Sequence, residues 1–207
     1  MADTELRILD PRDREQLEAF ADLHEVTLPR SVPVRLGRRF MIDFYFSKLV
    51  EAGLVAGDLF RYEGRYVGYN LYTKYPASFM RRGVRQHLPF LLHFMPRVFL
   101  ASPRALAAIP QILSKTGGFP EDPLTGYWLT FGVHPDFRPV RVDGRPIARH
   151  LVERMFDYFR DEGFRAVEGT VEAENRAAII FYRTCGFRFD DRGFEDGAKL
   201  QVRYEVA

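Results

Sequence analysis

From Trp128 to Phe187 the chain reads strand, loop, helix, strand, helix, and each piece carries a different physical signal. Tyr127 to Val133 is rich in aromatic and β-branched residues and stops at His134-Pro135, where proline ends a ladder. Apolar residues then recur at Ile147, Leu151, Val152, Met155, Tyr158 and Phe159, a helical spacing that ends at Gly163. Ala166, Val167, Thr170 and Val171 predict a short strand, and Asn175 stands where a helix N-cap belongs.

The helix after it carries Asn175, Ala178, Tyr182, Gly186 and Phe187 in the run NRAAIIFYRTCGF. Taken alone, such a run is an amphipathic helix closed by a glycine cap. Joined to VHPDFR and to the glycine-bearing loop before Ile147, it resembles the acyl-CoA-binding core of the GCN5-related N-acetyltransferases (GNAT). The likeness is close over about a third of the chain and follows element order over most of the rest. It implies an α/β fold in one domain over 1–207: a mixed, partly splayed β-sheet flanked by helices, with a basic, apolar helical insert at about 76–120. It also implies an N-acetyltransferase that takes acetyl-CoA, or another acyl-CoA, as donor.

Composition sets outer bounds. A chain of 207 residues, 46% hydrophobic and 14% aromatic, is long enough to bury one sizeable core. A net charge of +2 gives little reason to expect nucleic acid. Cys185 is the single cysteine, which excludes an internal disulfide framework and a cysteine-based zinc site, and no metal is expected. No apolar run reaches membrane-spanning length and no secretory signal pattern opens the chain, so a cytoplasmic protein is the expectation.

Taken in order, Glu5 to Leu9 predicts a first strand and Pro11 to Leu23 a helix beginning near Asp10. Phe40, Phe44, Tyr45, Leu49 and Val50 give a helical period ending at Gly53. Leu54 to Tyr62 and Tyr66 to Tyr75 predict a hairpin around Glu63-Gly64-Arg65. Phe187 to Phe189 and Lys199 to Glu205 predict a closing pair of strands, with Phe194 in the turn between them.

The segment from Pro76 to Pro120 holds Arg81, Arg82, Arg85, Arg97, Arg104 and Lys115 and no acidic residue. Its prolines at 89, 96, 103 and 110 predict short helical pieces. Three readings stay open. The segment packs its apolar side on the core and points arginines at water; or it covers the acyl pocket and attracts anionic acyl-CoA or an acyl carrier protein; or it lies on an anionic membrane surface.

The resemblance assigns the chemistry residue by residue. Backbone N–H groups of the strand end, at Phe131 and Val133, would face the pantetheine and the thioester oxygen. Arg138, Gly144, Arg145, Ile147 and Ala148 would bind pyrophosphate at a helix N-terminus. Asp143 stands where the family has a basic or amide residue, and Pro146, which has no N–H, replaces a glycine. Phosphate binding therefore leans on Arg138, Arg141, Arg145 or Arg149. Asn175 would hydrogen-bond the pantetheine arm, Ala178 would leave it room beside Phe181, and Tyr182 would protonate the leaving thiolate.

For the general base, Glu168 and Glu172 share one strand face, and His134 sits at the end of the preceding strand. Asp43, Tyr45 and Tyr72 are placed near the acceptor by analogy only. The acceptor is most simply a small-molecule amine, and a homodimer stays open. Two other readings remain: transfer of a longer acyl group from acyl-CoA or an acyl carrier protein, and a non-catalytic CoA-binding or membrane-associated module.

Overall fold

The computed structural model describes residues 3–101, 122–190 and 199–206. Seven strands form one sheet in the order β1-β2-β3-β4-β7-β9-β8. They are β1 (Thr4–Ile8), β2 (Ala56–Tyr62), β3 (Arg65–Thr73), β4 (Thr125–Val133), β7 (Ala166–Glu172), β8 (Arg188–Asp190) and β9 (Lys199–Glu205). Every neighbouring pair is antiparallel except β4 and β7. That one parallel pair follows from the crossover helix between them, since a hairpin cannot join parallel strands. The sheet is mixed, as the sequence predicts.

Helix α1 (Arg14–Thr27) starts later than expected, because Pro11-Arg12 form a turn and Asp13 caps the helix, accepting from the N–H groups of Glu15 and Gln16. After α2 (Val32–Leu36) come α3 (Arg38–Phe40), a π-helical stretch over Met41–Phe46, and α4 (Lys48–Glu51). The wider π turn buries Met41, Ile42, Phe44, Tyr45 and Phe46 together, more than a 3.6-residue period would place on one face. These side chains and α1 pack on Leu59, Tyr69 and Leu71 to form the core of the N-terminal half.

The first part of the insert is helical, with α5 (Phe79–Gln86) and α6 (Leu88–Ala101). Pro96 lies inside α6 and does not end it, contrary to the expected break. One proline removes one backbone hydrogen bond, and the helix is carried past it by the others. The rest of the expected insert, and Phe194, lie outside the described residues.

On the other sheet face, α7 (Ile147–Asp161) buries Ile147, Leu151, Val152, Met155, Phe156 and Phe159. Helix α8 (Arg176–Thr184) adds Tyr182, which clusters with Val152, Met155, Phe156 and Phe159 and with Trp128, Phe187 and Val202.

Candidate active site

β4 and β7 are paired only over Thr125↔Ala166, Gly126↔Val167, Tyr127↔Glu168 and Trp128↔Gly169. Beyond that rung both strands continue, β4 to Val133 and β7 to Glu172, without pairing to each other. The cause lies in β4 itself. Its register with β3 passes from Tyr72↔Trp128 to Leu71↔Thr130, so Leu129 is an extra residue. Such a bulge bends the strand and raises its twist, which turns β4 away from β7 and opens a wedge.

The phase of the β3–β4 ladder decides which backbone groups face that wedge. His134 N–H donates to the Val67 carbonyl at 2.8 Å. Alternate residues of an antiparallel pair bond the partner strand, so Gly132 and Thr130 face β3 while Phe131 and Val133 turn outward. The Val133 carbonyl accordingly accepts from Arg138 Nε at 3.2 Å rather than from β3. The N–H groups of Phe131 and Val133 therefore turn away from β3, towards the gap.

Aromatic rings line the α7/α8 side of the wedge. Phe131 lies 4.5 Å from Trp128 and stacks on Phe181 at 5.6 Å between ring centroids. Tyr182 meets Trp128 edge-on at 5.2 Å and Phe187 at 5.1 Å. Ala178 packs against the same cluster. Burial holds the Tyr182 phenol well above the ordinary tyrosine range, so it is protonated at neutral pH and can act as a donor.

The loop before α7 differs from the expected phosphate loop. Asp143 and Gly144 form the tip of a small hairpin, β5 (Arg141–Val142) with β6 (Arg145–Pro146), at φ values of 49° and 75°. Positive φ at both positions is the signature of a two-residue hairpin turn, which Asp-Gly favours. Gly144 sits in open space at that tip. Pro146 is the N-cap of α7 and no side chain caps the helix. The first-turn N–H groups of Ile147 and Ala148 thus lack intrahelical acceptors and are free for an anion. Arg145 and Arg149 both bond Glu153, at 3.0 and 2.8 Å, so their charge is already shared with a carboxylate. Arg149 also reaches the Thr184 carbonyl at the end of α8.

Asn175 caps α8, its Oδ1 accepting from Ala178 N–H at 3.1 Å. Glu168 is 7% exposed and held at 2.7 Å by both Arg203 and Gln201, whereas Glu172 is exposed at the strand end. His134 is half-buried and turns back to its own loop, its Nδ1 accepting from Asp136 N–H at 3.4 Å. The residues placed near the acceptor by analogy are otherwise engaged. Asp43 pairs with Arg14 at 3.1 Å, Tyr45 is buried, and Tyr72 donates to Asp58 at 2.9 Å.

Sequence reasoning missed a polar network on the opposite face of β4. Tyr69, fully buried, has its hydroxyl within bonding distance of His24, Thr27 and Thr130. Its members are spread over α1, β3 and β4, so no local spacing could have grouped them. Among the described residues no cluster of potential metal ligands occurs, and no helix is long and apolar enough to cross a membrane.

A parallel strand pair opened past a bulge, with amides turned into the gap, thus lies beside a helix whose N-terminus no side chain caps. The family model for the acetyltransferase (GNAT) family matches residues 18–187. The chain belongs to that family, whose members are N-acetyltransferases using an acyl-CoA donor. Solved structures of the same fold include the putative acetyltransferase YncA from Salmonella typhimurium with acetyl-CoA. It is 14% identical with a TM-score of 0.54, covering 99% of this chain and 94% of that one. The PaiA N-acetyltransferase of Thermoplasma acidophilum in complex with coenzyme A is 10% identical with a TM-score of 0.60, covering 98% and 99%. The ribosomal-protein-S18-alanine N-acetyltransferase of Escherichia coli is 12% identical with a TM-score of 0.52, covering 99% and 95%. No curated protein matches in sequence.

Proposed function

We propose that this chain moves an acetyl group from acetyl-CoA to a primary amine by direct attack while both are bound. The observation that carries the reading is the wedge itself: amides of Phe131 and Val133 turned into the gap beside a buried, protonated Tyr182. The donor supplies an activated carbonyl and a thiolate leaving group. Fixed N–H groups aimed at the carbonyl oxygen stabilise the negative charge that develops there without reorganising. The N–H groups of Ile147 and Ala148, with Arg138, would hold the pyrophosphate. The hairpin residues Gly144 and Arg145 would border it. Asn175, Ala178 and Phe181 would flank the pantetheine arm, and Tyr182 would donate its proton to the departing sulfur. Holding amine and thioester together supplies much of the remaining acceleration. Glu168 is held by Arg203 and Gln201, and Glu172 is exposed at the strand end.

A longer acyl group is the second reading. Leu88 and Leu92 of α6 are 47% and 68% exposed, apolar surface beside the arginines of α5. Thiol release measured with acetyl-CoA and with a medium-chain acyl-CoA, over a panel of primary amines, separates the two donors. Heat from coenzyme A binding without any thiol release would leave a binding module and remove the enzymatic reading.

A further inference from the structure

The polar network behind β4 runs from the site towards the surface. The Tyr69 hydroxyl lies 3.3 Å from Thr130 Oγ1, 3.1 Å from His24 Nδ1 and 3.0 Å from Thr27 Oγ1. His24 Nε2 lies 2.9 Å from Ser31 Oγ, in the half-exposed turn after α1. Thr130 follows the bulge residue Leu129 and immediately precedes Phe131, whose amide faces the wedge. Its side chain is on the α1 face of β4: a Cβ added to Gly132, two residues on, would meet Thr27 of α1 at 2.6 Å. The α7/α8 face is filled by Trp128, Phe131 and Phe181 and carries the helix start expected to hold the nucleotide tail. Thr130, half-buried, is thus the hydroxyl that β4 presents on the face away from that helix start.

We propose that the proton lost by the acceptor amine leaves along this chain, from Thr130 through Tyr69 to His24 and out at Ser31; the inference rests on the transferase reading above. As nitrogen bonds the acyl carbon, its proton passes to Thr130 Oγ1. The Thr130 proton passes to Tyr69, and the Tyr69 proton to His24 Nδ1. The Nε2 proton of the ring passes to Ser31, whose own proton enters water. The ring ends with its proton on Nδ1, and exchange with water between turnovers restores the first tautomer. In the resting arrangement Thr130 donates to Tyr69, Tyr69 donates to His24 Nδ1 and His24 Nε2–H donates to Ser31, while Thr27 donates to the Leu23 carbonyl at 2.7 Å. Every member is then satisfied, as a buried network must be.

His24 suits a conduit rather than a store. Burial alone pushes its pKa down to about 4, so it is neutral when a proton arrives and does not keep it. The phenol in contact with it, Tyr69 on β3, and Tyr45 on the π-helical stretch, which packs on Phe46, are both raised by burial. Phe46 packs edge-on against the ring at 5.8 Å.

The test uses the full chain with acetyl-CoA and three amines: ethanolamine, putrescine and a lysine-bearing peptide. Thr130→Val should lower kcat about 10- to 100-fold, the low end of acid–base contributions because water can stand in, with KM for acetyl-CoA unchanged. Its acid limb in the pH–rate profile should move up towards the pKa of the amine itself. Thr130→Ser should restore both, and Tyr69→Phe should repeat the loss with coenzyme A binding intact by calorimetry. Unchanged kcat and pH profile in a folded Thr130→Val, or a loss confined to Glu172→Gln, would overturn the relay and leave the transferase standing. A wild-type chain that binds coenzyme A yet releases no thiol with any of the three amines sinks the transferase reading, and the relay with it.

Discussion

Asp58 is the clearest case of one residue whose chemistry is set by its surroundings. It has no exposure, accepts from Tyr72 at 2.9 Å, and among the described residues has only Arg154, at 3.5 Å, to offset its charge. Desolvation wins over these partners and lifts its pKa from 3.8 to about 6. A carboxyl raised on folding stabilises the protein fully below pH 3.8, and that stability is lost as pH rises through 6. His24 acts in the opposite sense, losing its contribution as pH falls from 6.5 towards 4. Comparison with Asp58→Asn cancels the histidine. Urea unfolding from pH 4 to 8 should show the variant gaining roughly 2–3 kcal/mol on the wild type as pH rises, at 1.36 kcal/mol per pKa unit. A difference independent of pH would mean the carboxyl is not desolvated. At the same scale, Tyr182→Phe should lower kcat about 10- to 100-fold with little change in KM for acetyl-CoA, because the hydroxyl acts on the leaving group and the ring still packs. Steady-state kinetics with thiol release reads it directly.

At the scale of elements, what was legible followed local chemistry. The β4 strand, the α7 period, the Asn175 cap and the hairpin at Glu63-Gly64 are written in neighbouring residues, and each forms within a few positions of its expected bounds. Proline punctuation misled in α6, where Pro96 sits inside a helix that outlasts it. The Asp143-Gly144 loop misled in another way, since Asp-Gly encodes a tight hairpin as readily as a phosphate loop. Neither the bulge at Leu129 nor the Tyr69 network could be read in advance. Both depend on register between strands far apart in sequence. The contact of β4 with α1 is equally non-local and gives a sharp test. Gly132→Ala would drive a Cβ to 2.6 Å from Thr27 Oγ1. The strand should shift from α1 at a cost of about 1–3 kcal/mol, seen as a lower urea midpoint, with transfer impaired as the wedge moves.

For the whole molecule, the family and the mixed sheet were legible because three motifs occur in the right order, whereas the acceptor was not, because no motif of fixed spacing marks the residues that would face it. Ligand binding should stabilise the entire fold. At a coenzyme A concentration 100 times its dissociation constant the gain is about 2.7 kcal/mol, which for a chain of this size raises Tm by about 5–10 °C. A melting curve indifferent to coenzyme A would mean the wedge does not bind it. Core packing sets a second benchmark. Phe159 is fully buried between the sheet and α7, so Phe159→Ala should cost about 3–5 kcal/mol in urea unfolding.

Among the described residues, the four rungs from Thr125↔Ala166 to Trp128↔Gly169 form the ladder between the β1–β4 half of the sheet and the β7–β9 half. A sheet stitched at one end behaves like a clothes-peg. Its jaws are the free lengths of β4 and β7, and its spring is the aromatic stack beneath them. A molecule lying between the jaws completes the missing hydrogen bonds on the β4 side. Amide exchange at Phe131 and Val133 should therefore slow sharply when coenzyme A is added, while exchange at Gly126 and Trp128, on the stitched end, stays as it was.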